Sequence, residues 1–94
     1  METETTYALR QAILIAVNDA FGPINFEGAC RHSELYGIDT AMILDQWRTL
    51  VKAGYLEPLD GSDGKYVRLS AKGAAQVSFV PGKADVFIHG VKAL

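Results

Sequence analysis

The chain has 94 residues, 49% of them apolar and 21% charged, with a formal net charge of −2 at pH 7. That length and balance describe one small globular domain. They exclude a membrane span, because nothing approaches the roughly 18 consecutive apolar residues one needs, and Cys30, the only cysteine, excludes an intrachain disulfide. The opening "METETTY" lacks the basic region and apolar segment of a secretory signal, so the expected compartment is the cytoplasm.

The first predicted element is a helix over "TTYALRQAILIAVNDAFG", with Thr5 or Thr6 as its cap and Gly22-Pro23 as its stop. Leu9, Ile13, Ala16, Val17 and Ala20 recur at helical spacing and form a core stripe. Leu14 and Ile15 widen the apolar surface beyond one face, so another element or another subunit is expected to cover the outer side. "PIN" then reads as a short extended link.

A second helix is expected over "FEGACRHSELY", with Phe26, Ala29, Cys30 and Ser33 inward. Gly28 inside it costs about 1 kcal/mol relative to alanine, so the helix depends on packing. Gly37 ends it. Asp39 or Thr40 caps a third helix, "TAMILDQWRTLVKA", whose core edge is Ile43, Trp47 and Leu50 and whose stop is Gly54. Its opposite face presents Thr40, Ala41, Leu44, Asp45, Arg48 and Lys52.

"YLEPL" and "KYVRLS", separated by "DGSDG", read as a β-hairpin. Pro58 lacks an N–H, so the first strand belongs at a sheet edge, and the second can sit between neighbours with Val67 and Leu69 inward. Ser70 caps a short fourth helix, "AKGAAQVSF". After the Pro81-Gly82 turn, "ADVFIHG" reads as a final strand or extended arm.

Motifs for chemistry are missing. Cys30 has no His and Asn or Asp spaced as a catalytic partner set, and reads as a small core residue. His32 and His89 have no CxxC or HxxxH companions, so no metal site is expected. "GSDG" followed by "K" lacks the spacing and the helix of a phosphate loop. The chain is therefore expected not to be an enzyme and to carry no cofactor.

The order of helix, short strand, helix, turn, helix and hairpin resembles the winged helix-turn-helix family. The resemblance is carried by Gly37, Ile38, Ile43, Trp47, Leu50, Gly54, Tyr55 and Leu56, which look like the turn and third helix of bacterial regulators of the MarR and PadR groups. "VRLSAKG" is similar to the end of the wing and the start of the next helix in the same families. The likeness covers residues 6–77. It implies an α+β fold with a three-helix core, a hairpin wing and a short C-terminal extension, divided as a winged-helix domain over 1–80 and an arm over 81–94.

The resemblance also implies double-stranded DNA as partner and transcriptional regulation as role. The third helix would enter the major groove through Thr40, Ala41, Leu44, Asp45 and Arg48. Lys52, Lys65, Arg68 and Lys72 would contact phosphates. A homodimer through helix 1 and the tail "DVFIHGVKAL" is the expected assembly. Two features point elsewhere: the acidic balance, with Asp45 on the reading face, and a hairpin tip without Lys or Arg. They keep open a winged-helix module that binds protein, with Met42 and Leu44 in an apolar contact patch.

Overall fold

The computed structural model describes residues 4–78. Among them, four helices and a small antiparallel sheet make an α+β fold. The expected arm over 81–94, and with it the tail half of the expected dimer contact, lies outside the described residues.

Helix α1 (Glu4–Asn18) begins ahead of both threonines, so neither Thr5 nor Thr6 caps it. It ends five residues before Pro23, where Asp19 N–H still reaches Ile15 O at 2.9 Å and Ala20 N–H tightens onto Val17 O at 3.2 Å. Every residue from Gln11 to Val17 is buried. Helix α1 therefore runs through the middle of the molecule, touching α2 (Phe26–Cys30), α3 (Thr40–Lys52), α4 (Ala71–Ser78) and strand β3 (Tyr66–Leu69). Leu14 and Ile15, at 1% and 3% exposure, are covered within the same chain. The surplus apolar face of this helix thus gives no argument for a second subunit.

Strand β1 (Ile24–Asn25) is the segment read as a link; it pairs antiparallel with β3, Ile24 opposite Val67 and Asn25 opposite Tyr66. Asn25 also caps α2, its Oδ1 accepting the Gly28 N–H at 2.8 Å. A side chain at position 28 would put its Cβ 2.8 Å from that oxygen and 3.1 Å from Ile24 Cγ1, which is why glycine occupies this helix position.

The second helix is shorter than its sequence pattern. His32 interrupts it: its Nδ1 accepts the Glu34 N–H at 3.0 Å, and its Nε2 donates to Asp19 Oδ2 at 2.8 Å. A side chain that captures a backbone N–H competes with the helical ladder. A separate turn follows, closed by Leu35 and Tyr36 N–H groups on His32 O. Ser33 is exposed as a result, and Leu35, 1% exposed, fills the core in its place.

Asp39 caps α3, its Oδ1 accepting the Ala41 N–H at 3.1 Å. Ile43, Trp47 and Leu50 are buried as the spacing predicts. The Trp47 ring meets Phe26 edge to face, centroids 5.5 Å apart. At the other end Gly54 takes φ +88°, Tyr55 N–H bonds Leu50 O at 2.9 Å, and Gly54 N–H bonds Val51 O at 3.1 Å. This paired closure satisfies the last carbonyls and turns the chain into the sheet.

Strand β2 (Leu56–Pro58) is the outer strand, as the proline requires, and β3 lies between β1 and β2. Leu56 faces Leu69, Glu57 faces Arg68, and Pro58 faces Val67. Val67 and Leu56 are fully buried; each such side chain contributes on the order of 1.5–3 kcal/mol of apolar burial. Ser70 caps α4: its Oγ accepts the Gly73 N–H at 3.1 Å and donates toward the Gly54 and Tyr55 carbonyls.

Candidate functional site

A broad depression lies between the outward side of α3, the start of α2 and the hairpin, and has a volume of about 950 Å³. Leu44, Trp47, Arg48, Val51 and Lys52 line it from α3, at the i, i+3, i+4, i+7, i+8 spacing of one helix face. Gly64, Lys65 and Tyr66 line it from the hairpin; Asn25, Phe26 and Glu27 close the third side. The pairing of β1 with β3 brings that third side in, since Asn25 stands opposite Tyr66.

Four of the nine expected contact residues therefore meet in one groove: Leu44, Arg48, Lys52 and Lys65. The three cations are exposed, and Glu27 is the one carboxylate among the lining residues. The floor is apolar and aromatic. Trp47 is 6% exposed, Phe26 is half-buried, and Tyr66 is 43% exposed.

Thr40, Ala41 and Asp45 are exposed on α3 but do not line the groove. Asp45 lines a separate, small depression with Thr5, Thr6, Leu9, Met42 and Gln46. There Asp45 Oδ2 accepts from Gln46 Nε2 at 3.3 Å, and Gln46 Oε1 accepts from Arg10 Nε at 2.7 Å. The aspartate that weakened the charge argument lines a different depression from the groove cations, although it stands one helical turn from Arg48. Met42 and Leu44 lie in different depressions, so they do not make the single apolar patch expected for a protein partner.

Arg68 and Lys72 are engaged elsewhere. Arg68 Nε donates to Glu57 Oε1 at 3.1 Å across the hairpin, and Lys72 Nζ donates to Ala53 O at 2.9 Å. Both are outside the groove. The sequence reading missed Asn25, Phe26, Glu27, Val51 and Tyr66. Val51 was accessible from the helical stripe and Tyr66 from its alternation with Val67; the other three depend on non-local strand pairing.

Cys30 sits half-buried on α2, and burial together with the nearby Glu27 carboxylate pushes its thiol above the ordinary value of 9.0. That is the opposite of the activation a nucleophilic thiol needs. Among the described residues no group of three or more His, Cys, Asp and Glu is placed to hold a metal ion. No helix among them is long and apolar enough to cross a membrane. What the groove offers is three exposed cations over an aromatic floor, a surface suited to polyanionic or anionic and apolar partners. Searches against protein families, curated proteins and solved structures find no match to this chain.

Proposed function

We propose that the chain is a winged helix-turn-helix domain that binds double-stranded DNA, in the role of a transcriptional regulator. The observation that carries this reading is the convergence of Arg48, Lys52 and Lys65 on one groove beside α3, whose lining does not include Asp45. In this reading the hairpin is the wing, α3 is the helix presented to the major groove, and the three cations grip phosphates along one strand. Arg48 is the side chain with the chemistry to read a guanine edge.

The test is a titration with mixed-sequence duplex DNA. Trp47, the only tryptophan, lines the groove, so its emission reports occupancy. Three phosphate contacts give a log–log salt slope of about −2.7, a loss of roughly 40-fold in affinity from 50 to 200 mM salt. Absence of binding at 50 mM salt rejects the proposal.

A second reading rests on the groove floor. Phe26, Trp47 and Tyr66 under three cations also suit an acidic protein segment with aromatic or aliphatic anchors. Binding of an acidic peptide with Trp47 quenching, in a protein that ignores DNA at low salt, selects this reading over the first.

A further inference from the structure

Tyr66 is the aromatic residue of the groove whose ring is open to a guest. It is 43% exposed, whereas Trp47 is 6% exposed and its ring is engaged edge to face with the half-buried Phe26. The alternation along β3 explains the difference: Val67 points into the core, so its neighbour Tyr66 points out. Arg48, Lys52 and Lys65 line the same groove and are exposed as well.

Asn25 stands opposite Tyr66 in the ladder between β1 and β3. Side chains so paired share one face of the sheet, their Cβ atoms about 4.5–5.5 Å apart. Asn25 Oδ1 is committed to the Gly28 N–H at 2.8 Å, which leaves the amide N–H2 as the end that can meet a ligand. The plate therefore has a hydrogen-bond donor beside it and cations around it.

A fully paired duplex makes little use of such a plate. Its base faces are covered by their stacked neighbours, and an exposed ring finds only edges, sugars and phosphates. An unpaired base has a free face, and a cationic groove with an aromatic ring in it is the arrangement that holds open strands. The hairpin tip acts in the same direction. Asp60 and Asp63, both exposed, lie beside Lys65, and their carboxylates resist the approach of a second row of phosphates.

We infer that the DNA this groove prefers contains an unpaired base, which stacks on Tyr66 while Arg48, Lys52 and Lys65 hold the phosphates of the same strand. The Asn25 amide donates to an acceptor on the edge of that base. Every base carries such an acceptor, so the preference is for an open strand and not for one base. This inference rests on the DNA-binding reading above and narrows its substrate to DNA that is locally unpaired.

The experiment titrates the full chain into dye-labelled DNA and follows anisotropy. One DNA is a fully paired duplex; the other is the same duplex with a short bulge of unpaired thymidines in one strand. The bulged DNA is expected to bind about fivefold or more tighter, the low end of what one base stacked on an aromatic ring supplies. Tyr66→Leu is expected to abolish that preference and to leave the affinity for the paired duplex unchanged. Tyr66→Phe keeps the ring and is expected to keep the preference. The inference is overturned if Tyr66→Leu still prefers the bulge, as when the bulge only makes the duplex easier to bend. Equal binding of the two DNAs by the unaltered chain overturns it and leaves the DNA-binding reading standing, whereas binding of neither at 50 mM salt removes both. If Tyr66→Leu does not fold, the comparison of the two DNAs on the unaltered chain still decides.

Discussion

Lys72 Nζ donates a hydrogen bond to the Ala53 carbonyl at 2.9 Å and stands 4.5 Å from the centre of the Tyr55 ring. Ala53 closes α3, so a side chain from the start of α4 supplies a cation to the end of the helix that faces the groove. A positive charge there satisfies one of the terminal carbonyls and complements the helix dipole.

Lys72 is accordingly a fastening between α4 and α3. Lys72→Met is expected to lower stability by about 0.3–1 kcal/mol in urea denaturation, the range for an exposed charge at a helix end. In the DNA titration the same variant is expected to leave the salt slope unchanged, because the head group is directed at Ala53. A slope that loosens by a full unit assigns Lys72 to the phosphates after all.

The groove cations behave differently. Arg48→Ala, Lys52→Ala and Lys65→Ala are each expected to reduce the magnitude of the salt slope by about 1, the signature of one lost phosphate contact. Asp45→Asn, outside the groove lining, is expected to leave the slope where it is. Equal slopes across all four variants mean that the groove does not hold the phosphates.

How much of this was legible in the sequence follows from the distance over which each signal acts. Ile43, Trp47 and Leu50 were readable because helical spacing is local, and Gly54 because a helix stop is written within three residues. Pro58 placed β2 at the sheet edge through a single missing N–H. The early end of α2 was hidden, since it depends on His32 reaching Asp19, 13 positions away, while holding the Glu34 amide. The groove was half visible. Periodicity gives its α3 wall, but Asn25, Phe26 and Glu27 arrive only through the β1–β3 pairing. The opposite assignments of Arg48 and Arg68 were invisible too: both are exposed arginines, and only the cross-strand register sets Arg68 against Glu57. The apolar excess of α1 was read correctly as a need for several neighbours, and those neighbours turn out to be elements of its own chain.

Gly73 marks a close approach between α4 and the chain at Tyr55. It is buried on α4, and a Cβ there would collide with the Tyr55 carbonyl oxygen and come within 3.3 Å of Leu69 Cδ2. Backbone cannot swing aside as a side chain can, so Gly73→Ala is expected to destabilise by about 3 kcal/mol, the upper end of overpacking effects. Gly22→Ala is the control: nothing lies within 4 Å of the added carbon, and the expected change is within about 0.5 kcal/mol. Thermal unfolding of the two variants in parallel checks the contrast, and equal midpoints would remove the claimed contact between α4 and the start of the hairpin.

Cys30 supplies a pH-dependent prediction. Burial, and secondarily the Glu27 carboxylate, raise its thiol above the ordinary 9.0, so the folded chain keeps the thiol protonated at pH values where the unfolded chain has begun to lose it. The stabilisation tied to the neutral thiol is fully present below the unfolded value and declines as pH rises through the folded one. At pH 8.5 alkylation by iodoacetamide is expected to be slower in the native protein than in urea, because only the thiolate attacks. Glu27→Gln is expected to speed the native reaction while leaving the rate in urea unchanged. The difference in stability between the native sequence and Cys30→Ser, measured by denaturation from pH 8 to 10.5, is expected to shift against the native sequence at the alkaline end. A native alkylation rate equal to or above the unfolded one contradicts the burial of this thiol on α2.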